Sequence, residues 1–130
     1  MGSHHKQEIV MKNEKIKAAL KELDSILVEI EDSAVILSDG LVVSSNIVHQ
    51  IDEEKLGTIS ASLFSLANMA AQQFEKDQAQ SILIKCKKNY IALFRAGEDA
   101  ALVVDFKASA NIDTILKECI KTSEAITGLL

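Results

Sequence analysis

The chain of 130 residues has no proline or tryptophan, one tyrosine, one arginine and two cysteines. Cys86 and Cys119 cannot staple a small secreted scaffold. Lacking CxxC spacing and a following histidine pair, they do not make a zinc motif either. Both read as buried, reduced thiols of a cytoplasmic protein. Acidic residues outnumber Lys and Arg by 19 to 14, and the lysines are scattered, with Lys85, Lys87 and Lys88 the densest group. No cation cluster is present to displace counterions, so nucleic acid is not an expected partner. No apolar run suits a signal peptide, and no direct membrane insertion is expected.

Catalytic patterns are missing as well. The five glycines form neither GxxxxGK[ST] nor GxGxxG, and HExxH and GxSxG do not occur. His49 is the only histidine beyond the first five residues, and it reads as a solvated loop residue. Glu29, Glu31, Asp32, Asp105 and Lys107 also read as solvated. The chain is expected to be no enzyme itself and to hold no cofactor and no metal.

What is present is an ordinary globular composition, 48% hydrophobic and 25% charged, in a length that buries one core without staples. Residues 1–10, opening Met1-Gly2-Ser3-His4-His5, read as a tag or disordered leader, and residues 11–130 as one domain. Ile16, Leu20, Leu23, Leu27 and Ile30 recur at helical spacing, predicting a helix from Lys12 to Ile30. Ala34 to Ser38 and Leu41 to Ser45 flank Asp39-Gly40, which predicts a hairpin with a two-residue type I′ turn. A second helix is predicted from Asp52 to Lys76, with acidic residues in its first turn. Strands then follow at Ser81 to Lys87, Tyr90 to Arg95 and Ala100 to Phe106. A last helix, capped by Asn111 or Ser109, runs to about Gly128 with Ile112, Ile115, Leu116, Cys119, Ile120 and Ile126 inward. Consecutive apolar residues in the late strands require cover on both faces. The fold class is α/β: a three-layer α/β/α sandwich on a five-stranded, mostly antiparallel sheet, in the order αββαβββα.

The second helix is the informative segment, because residues 56–74 carry no charge over about five turns. Leu56, Ile59, Leu63, Leu66, Ala67, Ala70 and Phe74 fill one arc, assigned to the sheet. Gly57, Ala61, Phe64, Asn68 and Ala71 fill a second arc of mostly small residues. A membrane span is opposed by Ser60, Ser62, Ser65, Asn68, Gln72 and Gln73. An uncharged surface helix and a self-association face remain, and the apolar surface around Phe64 favours the second. Ile82 and Ile84 belong to the same expected dimer interface, since an edge strand there would pair with its copy. Ser62, Ser65, Met69 and Gln72 are the expected partner-binding residues. Arg95, followed by Glu98 and Asp99, is expected to pair with those carboxylates.

The element order resembles that of the roadblock family, which includes dynein light chains, lysosomal scaffold subunits and bacterial polarity proteins. So do the hairpin Ile36-Leu-Ser-Asp-Gly-Leu-Val-Val43, the helix segment Leu63 to Ala70 and Ala110-Asn111 opening the last helix. The likeness covers about residues 14 to 128. Glycines common in the family before the first strand and two residues after the asparagine are replaced here by Glu29 to Ser33 and by Asp113. The resemblance implies a homodimer, or a pair with a like chain, serving as a platform for a Ras-like small GTPase. The role would be that of a scaffold or a regulator of the partner's hydrolysis. A structural adaptor in a motor or membrane complex, without GTPase contact, is the alternative. A small-ligand sensor with an apolar pocket under a helix is a third reading.

Overall fold

The computed structural model describes residues 2–74 and 77–130. Met1 and the expected last turn of the second helix, Glu75-Lys76, lie outside them. Helix α1 spans Gly2–Ile26, strand β1 Ile30–Leu37, β2 Val42–Asn46, α2 Glu53–Phe74, β3 Ser81–Lys85, β4 Asn89–Arg95, β5 Ala100–Lys107 and α3 Ile112–Leu129. Every strand pair is antiparallel, in the spatial order β2-β1-β5-β4-β3. The β3 strand therefore forms one edge of the sheet.

Helices α1 and α3 cover one face. Their inward residues Ile16, Leu20, Leu23, Leu27, Ile115, Cys119 and Ile126 pack with Val35, Phe94, Leu102, Val104 and Phe106. The intervening strand residues point the other way, so Ala34, Ile36, Leu93 and Val103 pack beneath α2. This two-sided burial explains the consecutive apolar residues of the strands. Tyr90 and Phe106 are cross-strand partners and stack with ring centroids 5.4 Å apart.

Five local expectations change, the first being the start of the first helix, which is Gly2 and not Lys12, so that the expected leader is helical from Gly2 on. The first strand starts at Ile30, not Ala34, and the helix before it stops at Ile26, because Leu27 to Glu29 make the connecting turn. The first hairpin closes with three residues rather than two: Leu37 N–H donates to Leu41 C=O at 2.8 Å and Gly40 N–H to Leu37 C=O at 2.9 Å. Gly40 holds φ +92°, and a register shift follows in β2, as in a bulged three-residue loop. Ile120 is exposed and Ser123 takes its inward place in α3. Asn111 is the cap of that helix, its side chain accepting from Thr114 N–H at 3.1 Å. Finally, Cys86 is exposed because β3 stops at Lys85, while Cys119 is buried and desolvation pushes its thiol up to about 12.

Candidate interaction surface

The sheet-facing side of α2 differs from the sequence reading. Its buried residues are Gly57 and Ser60, with Ala61, Leu63, Phe64, Ala67, Asn68 and Ala71 half-buried around them. Gly57 is where the helix meets the first hairpin, and a Cβ there would lie 1.9 Å from the Gly40 carbonyl oxygen. Gly57 thus admits the chain's own turn. Gly57, Ala61, Phe64, Asn68 and Ala71, expected at a dimer interface, face the sheet they belong to. Of the arc assigned to the sheet, Leu56, Leu63 and Ala67 are half-buried, whereas Ile59, Leu66, Ala70 and Phe74 are exposed, Leu66 at 61% and Phe74 at 85%. An uncharged helix offers no polar face to orient the wheel, and the signal that could have done so was the glycine opposite a tight turn.

Ser62, Ser65, Met69 and Gln72 are exposed on the outer side. Ile82 and Ile84 lie half-buried on the α2 face of β3, packed against the core there, while Leu83 points to the opposite face and is exposed. The outer backbone edge of β3 has no strand partner among the described residues. Ile59, Leu63, Leu66 and Ala70, spaced by four, three and four, make one apolar flank of the helix. Its half-buried member Leu63 packs into the same cluster as Ile82, Ile84 and Ile91.

Two polar junctions hold α2. Arg95 does not pair with Glu98 or Asp99. Its Nε donates to Ala79 C=O at 2.8 Å and its Nη2 to Asn68 Oδ1 at 2.7 Å, with the guanidinium 5.4 Å from the Phe64 ring centre. The cause is strand alternation: Leu93 and Arg95 share the α2 face. Asn68 also accepts from Ala79 N–H at 2.9 Å, so one amide ties helix, strand and the approach to β3 together.

The second junction overturns the solvated reading of the acidic residues. Asp32 is 4% exposed. Its Oδ1 accepts from the backbone N–H groups of Val48 at 2.9 Å and His49 at 3.2 Å, and its Oδ2 lies 2.6 Å from His49 Nδ1. His49 Nε2 is 3.4 Å from Glu31. Burial pushes the Asp32 carboxyl up, yet the bonds from His49 and the loop backbone outweigh it and hold the group below its ordinary value. The hydrogen bond and charge of Asp32 raise His49. Asp105, opposite Asp32 in the β1–β5 register, is raised by burial and by that neighbour, and it accepts from Asn89 Nδ2 at 2.7 Å. Asp32, His49 and Asp105 lie close enough to surround a cation, but hydrogen bonds within the chain already use Asp32, and the cluster fastens the loop that leads into α2.

The arrangement is an open helix flank beside a strand edge that is unpaired among the described residues. The Roadblock/LC7 domain model matches residues 15–106. The chain belongs to the Roadblock/LC7 domain family. Its fold is that of Myxococcus xanthus MglB, with a TM-score of 0.83 and 19% identity over 91% of this chain and 92% of that one. An MglB structure with a tetrameric arrangement is similar at a TM-score of 0.82 and 18% identity, covering 91% and 89%. The Roadblock/LC7 domain from Streptomyces avermitilis aligns at 0.80 and 15%, covering 86% and 94%. No curated relative matches the chain. Among the described residues of this roadblock domain, no helix is long and apolar enough to cross a membrane.

Proposed function

We propose that this roadblock domain forms a two-fold dimer by pairing β3 edges and apposing the apolar flanks of α2, and that the joined α2 layer is a non-enzymatic docking platform for a Ras-like small GTPase. One observation carries the dimer: two helices cover one face of the sheet and one covers the other. Five strands span roughly 19 Å between outermost axes, and a helix shields about 10 Å. A single α2 thus leaves part of its face short of cover, which Ile82, Ile84 and Ile91 line and the Ile59–Leu66–Ala70 flank borders. A second copy supplies a strand for the open edge and a helix for that gap under one symmetry operation. The tetrameric arrangement described for one MglB structure supports self-association of this fold.

The GTPase reading rests on family membership together with the outer side of α2, where Ser62, Ser65, Met69 and Gln72 combine an adaptable methionine with uncharged polar groups. Such a surface would act by holding the partner's switch loops, without supplying a catalytic group of its own. Arg95, tethered to Asn68 and Ala79, is a strap of the fold and not a finger for a nucleotide. The test is binding of the purified dimer to a Ras-like GTPase from the same organism, loaded with a GTP analogue or with GDP. Binding that depends on the nucleotide and disappears in Met69→Glu is the expected result. Equal binding to both loaded forms, or none, would overturn the GTPase assignment and leave the dimer as a structural adaptor.

A further inference from the structure

A cavity of about 260 Å³ lies between α2 and the hairpin ends of the sheet. Its walls are half apolar, with Ile36, Phe64 and Ala101 among them, and half polar, from Ser38, Ser60, Ser65, Asn68, Arg95 and, at the rim, Glu98. Arg95 is the chain's only arginine and is half-buried. Both groups its guanidinium bonds, the Ala79 carbonyl and the Asn68 amide oxygen, are neutral, and no carboxylate among the described residues lies within ion-pair distance. A partly desolvated cation without a counter-ion is costly, and an anion beside it recovers that cost. Ser60 supplies an independent sign. It is 3% exposed and is the one polar side chain buried in α2, and its hydroxyl, reached from the cavity, has no hydrogen-bond partner among the described residues. A serine inside a helix can bond the carbonyl four residues back, as Ser62 does to Thr58 C=O at 2.9 Å. Ser60 does not, and it opens on the cavity.

We propose that this cavity binds a small carboxylic acid with a short apolar body, its carboxylate meeting the Arg95 guanidinium and the Ser60 hydroxyl and its tail lying against Phe64 and Ile36. Bidentate geometry suits a planar carboxylate on a guanidinium already fixed by two bonds. Glu98, exposed at the rim, sets an upper limit on affinity by repelling the same charge. Because α2 forms one wall, occupancy would stiffen the helix that the proposed dimer and partner both use, although the site itself needs neither.

The experiment titrates hexanoate into the ¹⁵N-labelled full chain, with hexanamide as the neutral isostere, inorganic phosphate as the anion without a tail and a capped glutamyl peptide as the protein-borne carboxylate. Hexanoate is expected to shift the amides of Ser60, Phe64 and Arg95 saturably and to raise the melting temperature, with hexanamide and phosphate weaker by tenfold or more. Ser60→Ala removes a hydroxyl that the empty protein leaves unbonded, so it should leave unliganded stability unchanged or higher while weakening hexanoate about tenfold. Glu98→Gln should tighten it. These two variants carry the test even if Arg95→Gln fails to fold. Hexanamide equal to hexanoate, an unaffected Ser60→Ala, no saturable shift at millimolar hexanoate, or binding of the peptide alone would each overturn the proposal.

Discussion

The two faces of the sheet are built on different rules. Beneath α1 and α3 the core is closed and largely apolar, with Phe94, Phe106, Leu20, Leu102 and Ile126 nearly or wholly inaccessible and one polar junction at its border, where Asp24 of α1 accepts from Ser33 and Asn46. Beneath α2 the fully buried set is small, and polar groups do much of the fastening, through Arg95 with Asn68 and through Asp32 with His49. The α2 face, held by directional bonds and a glycine contact, leaves an apolar helix flank exposed, and it is the face that the proposed function uses.

The sharpest break comes from the closed side. Phe106→Ala should cost about 3 to 5 kcal/mol in urea unfolding, since the ring is fully buried and stacked on Tyr90. Gly57→Val should cost less, about 1 to 3 kcal/mol, because its Cβ must push the Gly40 turn away. If it also loosens α2 without melting α1, hydrogen exchange will show protection lost only on the α2 side.

Acidity sharpens the same comparison. The His49 value is raised in the fold, so its contribution is full below its ordinary value of about 6.5 and is lost as pH rises through the raised one. The Asp32 value is lowered, so its contribution is present above its ordinary value and is lost as pH falls through the depressed one. Stability should therefore decline on raising pH past the His49 titration, and His49→Gln should flatten that limb of the profile. An unchanged limb would show that the pair does not fasten the loop.

The smallest effect concerns the thiols and leaves stability untouched. Cys86 should react with a thiol reagent in the native protein at once. Cys119, buried beneath α3 with its thiol pushed up to about 12, should react only on unfolding. Fast native reaction of both would show that the α1/α3 face is open.

Most of the architecture is legible in the sequence, because its signals are periodic. Ile16 to Leu27 and Ile112 to Cys119 repeat at helical spacing, Asp39-Gly40 marks the hairpin, and Asn111 announces its helix. What periodicity does not carry is rotation and long-range pairing. The wheel of α2 has no charged side to fix it, so the sequence pattern puts Gly57 and Phe64 outward and Leu66 inward, the reverse of their places in the fold. Asp32 and His49 stand 17 positions apart and meet only because β2 brings the chain back beside β1. Arg95 and Asn68 are 27 apart, and local carboxylates at 98 and 99 made a nearer but wrong partner. The β3 edge is readable in part, from the lysines at its C-terminal end.

The central claim is that the α2 flank and the β3 edge are completed by a second copy. Light scattering on the wild type and on Leu66→Glu at micromolar concentration tests it most directly, because Leu66 is exposed in the chain and a glutamate there leaves the monomer's own core intact. The account predicts a wild-type mass of twice 14.2 kDa and a Leu66→Glu mass of 14.2 kDa with an unchanged circular dichroism spectrum. A wild type that is monomeric throughout, or a folded Leu66→Glu that stays dimeric, would contradict it.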